Sequence, residues 1–205
     1  FMYDKDFKQA LLDYYKMTGF PELIPRYALG NWWSRNVTYN EESVEELVSH
    51  FEKKKIPLSV LLLDNDWHYR NVGNNKGLKS GFTFNKSIIK DPKRIVNYLH
   101  QRGIRFGLNI NPETGIYPHE EFYMQAAGYL EVKDNKVILF DPLNPKLMDV
   151  YMKVFLHPLE SLGVDFFWSD YKGNLNLTNL WFNNHYLYKD SGRTAEKRGM
   201  ILARN

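Results

Sequence analysis

Short apolar runs alternate with amphipathic segments along most of the chain. Residues 40–55 and 91–103 place their apolar side chains on one helical face and are predicted helices. Each is followed by a continuous apolar run, at 57–66 and at 104–112, which is typical of a strand buried on both faces. Alternation of strand and helix predicts a parallel sheet with helices packed against it.

The same alternation extends toward both ends of the chain. The N-terminal segment has apolar residues at helical spacing and is stopped by Gly19 and Pro21. A long amphipathic helix is predicted over 145–163, and Pro158 is expected to kink or divide it because proline donates no backbone hydrogen bond. The remaining predicted elements are a first strand near 26–35, a fourth strand at 164–170, a helix at 179–192 and a fifth strand at 199–205.

Two parallel architectures fit this pattern: an open doubly wound sheet, or part of a (β/α)₈ barrel, which usually needs about 250 residues. The long segments 65–90 and 111–146 follow strands, as active-site loops do in barrels, and no glycine-rich nucleotide loop follows any strand. We therefore predict an α/β fold, the N-terminal part of a TIM (β/α)₈ barrel with about five of its eight strands. Residues 1–25 are predicted to be a helical lead-in, and 26–205 the partial catalytic domain.

Composition excludes several classes of function. The 205 residues have a net charge of +3 and no block of basic residues, so nucleic acid is not an expected partner. The chain has no cysteine and no apolar run near the ~18 residues of a membrane span, so neither a thiolate metal site nor a membrane location is expected. The charged N-terminal segment is unlike a signal peptide, which favours the cytoplasm, and the start at Phe1 suggests a cut from a longer protein. The oligomeric state stays open.

Polar and aromatic residues collect at the carboxyl ends of the predicted strands. In order these are Asn31, Trp32, Trp33, Ser34 and Arg35; Asp64, Asn65, Asp66, Trp67 and His68; Asn109, Asn111 and Pro112; Trp168, Ser169 and Asp170; Arg204 and Asn205. In a parallel barrel these ends meet at one mouth. Carboxylates, amides and indole rings together suit a polyhydroxylated ligand, and paired carboxylates suit glycoside cleavage.

Each of these residues also has a simpler interpretation. A single aspartate after a strand is often a turn former or a helix cap, and Trp67 can be a packed ring beside a surface His68. Asp64 and Asp66 match the Asp-x-Asp of metal-dependent glycosyltransferases, a short and weak motif. Three histidines fall in helical segments, have no zinc-binding spacing and are expected to be structural: His100, His157 and His185.

Several stretches, in order along the chain, resemble the catalytic barrel of glycoside hydrolase family 31, the family of α-glucosidases and α-xylosidases. They include "LIPRYALGNWWSR", "IPLSVLLLDNDWH", "GIRFGLNINP", "VDFFWSDYKG" and "RGMILARN", and they span most of residues 20–205. The resemblance implies a retaining α-glycosidase that acts on an oligosaccharide or glycoside without a metal or other cofactor. Whether the sugar is glucose, xylose or galactose stays open.

The resemblance also assigns roles to residues. It implies that Asp170 is the nucleophile. Sugar contacts are implied for Asp64, Asp66, Trp67, Asn109, Trp168 and Arg204. Lys172 departs from the family pattern and is expected to affect the choice of substrate. The family's acid/base aspartate falls beyond Asn205, so these 205 residues alone are expected to be inactive. A carbohydrate-binding barrel without turnover is the alternative.

Overall fold

The fold was analysed in a computed structural model that describes residues 4–64, 66–133, 135–172 and 176–203. In this part of the chain five strands form one parallel sheet: β1 Trp32–Arg35, β2 Val60–Leu63, β3 Arg105–Ile110, β4 Phe166–Ser169 and β5 Leu202–Ala203. Their spatial order, β1-β2-β3-β4-β5, is also their order along the chain. A doubly wound sheet reverses its strand order near the first strand, so the prediction of a partial barrel is confirmed.

The helices of the described residues fall mostly where apolar periodicity predicts them. They are α1 Phe7–Thr18, α2 Glu41–Lys53, α3 Pro92–His100, α4 Tyr123–Leu130, α5 Pro145–Val150, α6 His157–Leu162 and α7 Leu177–Ser191. Helix α2 begins with a capping box in which Asn40 and Ser43 exchange hydrogen bonds with each other's backbone amides. None of the described helices combines the length and apolar character that a membrane crossing requires.

Two local features differ from the sequence prediction. Residues Arg26–Leu29 form a 3₁₀ turn, so β1 starts only at Trp32, where pairing with Val60 begins, and Asn31 precedes the strand. Helix α4 lies inside the segment that was expected to be a loop. Its sequence contains Gly128 and lacks a polar face, so it gives only a weak helical signal.

The helix expected over 145–163 is interrupted, as the position of Pro158 predicts. A π-helical segment, Tyr151–Leu156, separates α5 from α6, and Pro158 lies at the start of α6. A widened turn accommodates the proline because its ring would clash with the preceding turn of a regular helix.

The two faces of the sheet pack into different cores. Leu61 and Leu63 of β2 join a large cluster with α2 and α3, whereas Val60 and Leu62 join a small one with Phe166 of β4. This second cluster is the barrel interior, which contains Tyr27, Trp32 and Trp168 but no residue of the seven helices. Because side chains alternate along a strand, the inward row of β2 continues to Asp64 and that of β4 to Asp170.

Candidate active site

The carboxyl ends of β2, β3 and β4 surround one cleft of about 350 Å³. Five of the residues expected at the mouth from the sequence line it: Asp64, Asn109, Asn111, Trp168 and Asp170. The other lining residues are Asn36, Arg70, Lys79 and Lys172. The inward-facing side chains of each strand therefore end in a polar residue that lines this cleft.

The backbone next to Asp170 is firmly held. Its amide donates to the carbonyl of Ile110 at 2.9 Å, which continues the β3–β4 pairing one residue past the strand. The next residue, Tyr171, is buried, and its ring packs edge-on against Phe140 with centroids 5.2 Å apart. The half-buried carboxyl group of Asp170 is thus presented by a rigid strand end.

Asp64 responds electrostatically to Asp170. Partial burial raises the pKa of the Asp64 carboxyl above its ordinary value, and the negative charge of Asp170 raises it further. The guanidinium of Arg70 acts in the opposite direction. The two carboxylates therefore interact. Asp64 keeps its proton to a higher pH than a free aspartate does.

Asn109 and Trp67 are linked at the end of β3. The indole nitrogen of Trp67 donates to the backbone carbonyl of Asn109 at 2.8 Å. Trp67 is only 1% exposed and packs against Phe84 in the helix-side core, so the structure places it behind the cleft and not on its wall. Asn109 is 6% exposed, and its side-chain nitrogen has no hydrogen-bond acceptor among the described residues. It is therefore a buried donor beside the cleft.

Asp66 lies outside the cleft that Asp64 lines. Its backbone adopts a left-handed φ of 65°, and its side chain faces a neighbouring cavity of about 480 Å³. Its two carboxylate oxygens accept hydrogen bonds from Thr38 at 2.5 Å and from Arg70 at 2.9 Å. Burial raises the pKa of Asp66, but these two hydrogen bonds, together with the positive charge of Arg70, hold the pKa below the ordinary value. Asp66 therefore fixes Arg70 between the two cavities.

His68 is not the surface residue that the sequence suggested. It is 3% exposed, and burial lowers its pKa to about 4, so the ring is neutral near pH 7. A Cβ added to Gly81 would come within 2.0 Å of its Nδ1. The bare backbone of Gly81 is what allows the loop to close over this ring.

The three histidines that were expected to be structural lie in or beside the helices, away from the lining of the cleft. His100 lies 2.7 Å from Asp165, His157 lies 3.0 Å from Asp190, and His185 stacks on Trp181. Asn65, Arg204 and Asn205, which were also expected at the mouth, lie outside the described residues.

One group of side chains has the composition of a metal site: His157, Glu160 and Asp190, whose ligand atoms lie within 4.8 Å of one another. Cations already neutralise both carboxylates, because Arg193 lies 3.1 Å from Asp190 and Lys197 lies 3.0 Å from Glu160. This group is better described as an ion-pair network that joins α6, α7 and the following loop.

Sequence reasoning missed three residues of the cleft: Asn36, Arg70 and Lys79. All three lie in loops, where no strand periodicity indicates which way a side chain points. The one local signal was the four-residue spacing from Asp66 to Arg70, which suits an ion pair.

A family model, described as the glycosyl hydrolases family 31 TIM-barrel domain, matches residues 21–201. The chain is 25% identical over 169 residues to an α-xylosidase of Saccharolobus solfataricus, a match that covers 82% of this chain and 22% of that protein. It is 31% identical over 176 residues to α-glucosidase 2 of Bacillus thermoamyloliquefaciens, with 80% and 21% covered. The chain thus spans about a fifth of the length of these relatives.

The fold is also similar to that of a solved structure. A dextranase of Flavobacterium johnsoniae, complexed with isomaltotriose, superposes with a TM-score of 0.74 at 20% sequence identity. The superposition covers 99% of this chain and 28% of the dextranase. At this identity the likeness concerns the fold.

Proposed function

Because the chain belongs to glycosyl hydrolase family 31, we propose that it carries the nucleophile and part of the sugar pocket of a retaining α-glycosidase. The observation that supports this most is the cleft in which Asp64 and Asp170 interact beside Trp168 and Asn109. The substrate class is the terminal α-glycosidic bond of an oligosaccharide. The α-xylosidase and α-glucosidase relatives, and the dextranase complexed with isomaltotriose, support this class.

In the proposed reaction Asp170 is the nucleophile. Its carboxylate attacks the anomeric carbon and forms a glycosyl ester, while the bond from that carbon to the leaving oxygen breaks. A second carboxyl group, about 5–5.5 Å away in retaining enzymes, protonates the leaving oxygen. The same group then removes a proton from water, whose oxygen bonds to the anomeric carbon while the bond from that carbon to the Asp170 oxygen breaks, which releases the sugar and restores the carboxylate.

The remaining cleft residues bind the sugar in this proposal. Asp64 accepts hydrogen bonds from sugar hydroxyls, and the buried nitrogen of Asn109 donates one. Trp168 offers a flat apolar ring to the sugar face. In this proposal Asp66 and Trp67 support the sugar pocket without touching the sugar. Asp66 holds the side chain of Arg70, and Trp67 holds the end of β3 through the carbonyl of Asn109. The role of Arg204 stays as the family resemblance implies.

We assign the second carboxyl group to a segment beyond these 205 residues, because the acid/base aspartate of the family that the sequence resembles follows strand five. The chain alone is therefore expected to show no hydrolysis above background. A polypeptide that includes that segment is needed for turnover.

Trapping of the ester tests the assignment of Asp170. A 5-fluoro-α-glycosyl fluoride loses fluoride without needing a proton, so it should label the nucleophile of the longer polypeptide, and peptide mass spectrometry should place the label on Asp170. Asp170→Asn should lose the label and at least about 10³-fold in hydrolysis of an aryl α-glycoside. Asp149→Asn, an exposed ion-pair residue on α5, is the matched control and should keep both. A label on another carboxylate would overturn the assignment.

Two other functions make different predictions. A metal-dependent glycosyltransferase would need Asp64 and Asp66 to share an ion, but both oxygens of Asp66 already accept hydrogen bonds and only Asp64 lines the cleft. Transfer from a nucleotide sugar that depends on Mn²⁺ would favour that function. A binding module without turnover would bind the glycoside but would never hydrolyse it, even in the longer polypeptide.

A further inference from the structure

The cleft is lined by two lysines that form no ion pair with any described carboxylate. Three cationic residues line it, Arg70, Lys79 and Lys172, against the two carboxylates Asp64 and Asp170. Arg70 is engaged in the ion pair with Asp66. Within the described ranges, neither lysine has a carboxylate at ion-pair distance.

Burial and hydrogen bonds hold the backbone on both sides of Lys79. Its neighbours Leu78 and Ser80 are both buried, and only the lysine between them is exposed. Leu78 exchanges hydrogen bonds with Arg70: its amide donates to the Arg70 carbonyl at 2.9 Å, and its carbonyl accepts from the Arg70 side chain at 3.1 Å. The Ser80 hydroxyl accepts from the Thr114 amide at 3.1 Å. The loop therefore holds Lys79 at the cleft.

The backbone of Lys172, which follows β4, is held in a similar way. It follows Tyr171, whose ring is buried against Phe140, and that tyrosine follows Asp170, whose amide is bonded to β3. Two lysines from different loops, each next to a buried residue, thus line the space beside the proposed nucleophile.

We propose that Lys79 and Lys172 together bind an acidic group of the substrate, so that the preferred glycoside is an anionic sugar and not a neutral one. A carboxylate, a sulfate ester or a phosphate ester would each satisfy the two ammonium groups. The inference rests on the proposed function, because it assumes that the cleft holds a sugar.

The chemistry of the cleft is the reason for this preference. Sugar hydroxyls can be bound by carboxylates, amides and indoles alone, so two further ammonium groups are not needed for a neutral sugar. Charge-assisted hydrogen bonds from lysine to an anion are about twice as strong as neutral ones. Two ammonium groups without ion-pair partners among the described residues also attract anionic ligands.

Calorimetric binding to the longer polypeptide, which carries Asp170→Asn so that no glycoside is turned over, tests the inference. The ligands are methyl α-glucoside, methyl α-glucuronide, and the 6-sulfate and 6-phosphate of methyl α-glucoside; the three acidic arms identify the preferred anion. We expect at least one acidic glycoside to bind at least tenfold more tightly than the neutral one, and its affinity to fall with added salt. Inorganic sulfate and phosphate should bind more weakly than the best acidic glycoside, because they lack the sugar.

Variants distinguish the contribution of the two lysines to binding from that of the other cleft residues. Replacing both residues, Lys79→Met with Lys172→Met, should remove the tenfold preference, so that acidic and neutral glycosides bind with similar affinity. The charge-conserving pair Lys79→Arg with Lys172→Arg should retain most of the preference. Lys76→Met, an exposed lysine of the same loop that does not line the cleft, should have no effect.

The outcomes distinguish this inference from the proposed function. Equal affinity for neutral and acidic glycosides, or a preference that survives the double methionine variant, would overturn the anionic sugar and leave the glycosidase proposal standing. If inorganic anions bind as tightly as the acidic glycosides, the cleft recognises the anionic group without the sugar, and the inference fails. If no glycoside of either kind binds, both proposals fail.

Discussion

At the scale of single residues, the chain contains a buried carboxyl group that sequence reasoning did not single out. Glu120 is 5% exposed and joins the two long loops that reach the cleft: its Oε2 accepts from the Phe82 amide at 3.0 Å and from the Thr83 hydroxyl at 2.6 Å. His119 lies 3.4 Å from its other oxygen. Burial raises the pKa of Glu120 to about 7, although these hydrogen bonds oppose the rise.

This residue should make stability depend on pH. Between the ordinary glutamate pKa of 4.5 and about 7, the folded chain keeps a proton that the unfolded chain has lost. The contribution of Glu120 to the free energy of unfolding should therefore fall as pH rises through this window, by up to about 3 kcal/mol, and then level off. Buried His68 has the opposite effect between about pH 4 and 6.5, because there the unfolded chain binds a proton that the folded chain does not. The Glu120 contribution is therefore measured as the difference between the parent chain and a variant at this position. Urea unfolding at pH 5 and at pH 8 measures the change.

Two variants isolate the contribution of Glu120. Glu120→Gln cannot titrate, so between pH 5 and pH 8 its free energy of unfolding should rise relative to that of the parent chain. The matched variant Glu121→Gln, at an exposed neighbouring position, should keep the full dependence. Identical pH curves for the parent chain and Glu120→Gln would contradict the prediction.

At the scale of elements, β3 depends on a glycine to leave space in the barrel interior. The ring of Phe166 from β4 lies directly over Gly107, so an added Cβ would come within 2.4 Å of it. That ring cannot move aside easily, because it is 1% exposed and packs edge-on against Trp32 at 5.1 Å. Close approach of the ring to the bare backbone is therefore part of how β3 and β4 fit together.

A pair of glycine substitutions tests this packing. Gly107→Ala should lower the free energy of unfolding by about 1–3 kcal/mol, because it overpacks the interior. Gly128→Ala in α4 is the control, since its added Cβ would meet no atom within 4 Å and the glycine is helical. It should be stabilising by roughly 0.5–1 kcal/mol. Urea unfolding that gives equal effects for the two variants would contradict the packing argument.

At the scale of the whole molecule, the described chain is an open sheet with a small inner core. Strands β1 and β5 lie at the two edges, and the inner cluster has only three buried members, Val60, Leu62 and Phe166. Apolar residues of α1 and the following segment are largely exposed: Phe7, Leu11, Met17, Phe20 and Leu23. Open strand edges and exposed apolar patches both favour association between chains.

The isolated 205 residues should therefore self-associate. Light scattering after gel filtration should show species larger than the 24.3 kDa monomer, increasing with concentration. Leu11→Glu with Met17→Glu should raise the monomer fraction, since both side chains are exposed and apolar. Gln9→Glu with Thr18→Glu adds the same charge at exposed polar positions of α1 and should have a smaller effect. A parent chain that stays monomeric at high concentration would contradict this prediction.

The sequence by itself determined the features that depend on local periodicity. The apolar spacing located α2 and α3, the continuous run located β2, and the order of elements led to the partial barrel. Asp64 and Asp170 were identified because each follows a buried strand. These predictions succeed because the pleat and the helical turn fix which neighbours share a face.

The tertiary structure decided the features that depend on contacts between distant segments. Only the packing of the loops separates Asp66 from Asp64, buries Trp67 and His68, and brings Arg70 and Lys79 to the cleft. The 3₁₀ turn before β1 and helix α4 likewise follow their surroundings more than their own pattern. Loop residues have no period that aims their side chains, so their positions are set by the partners that cover them.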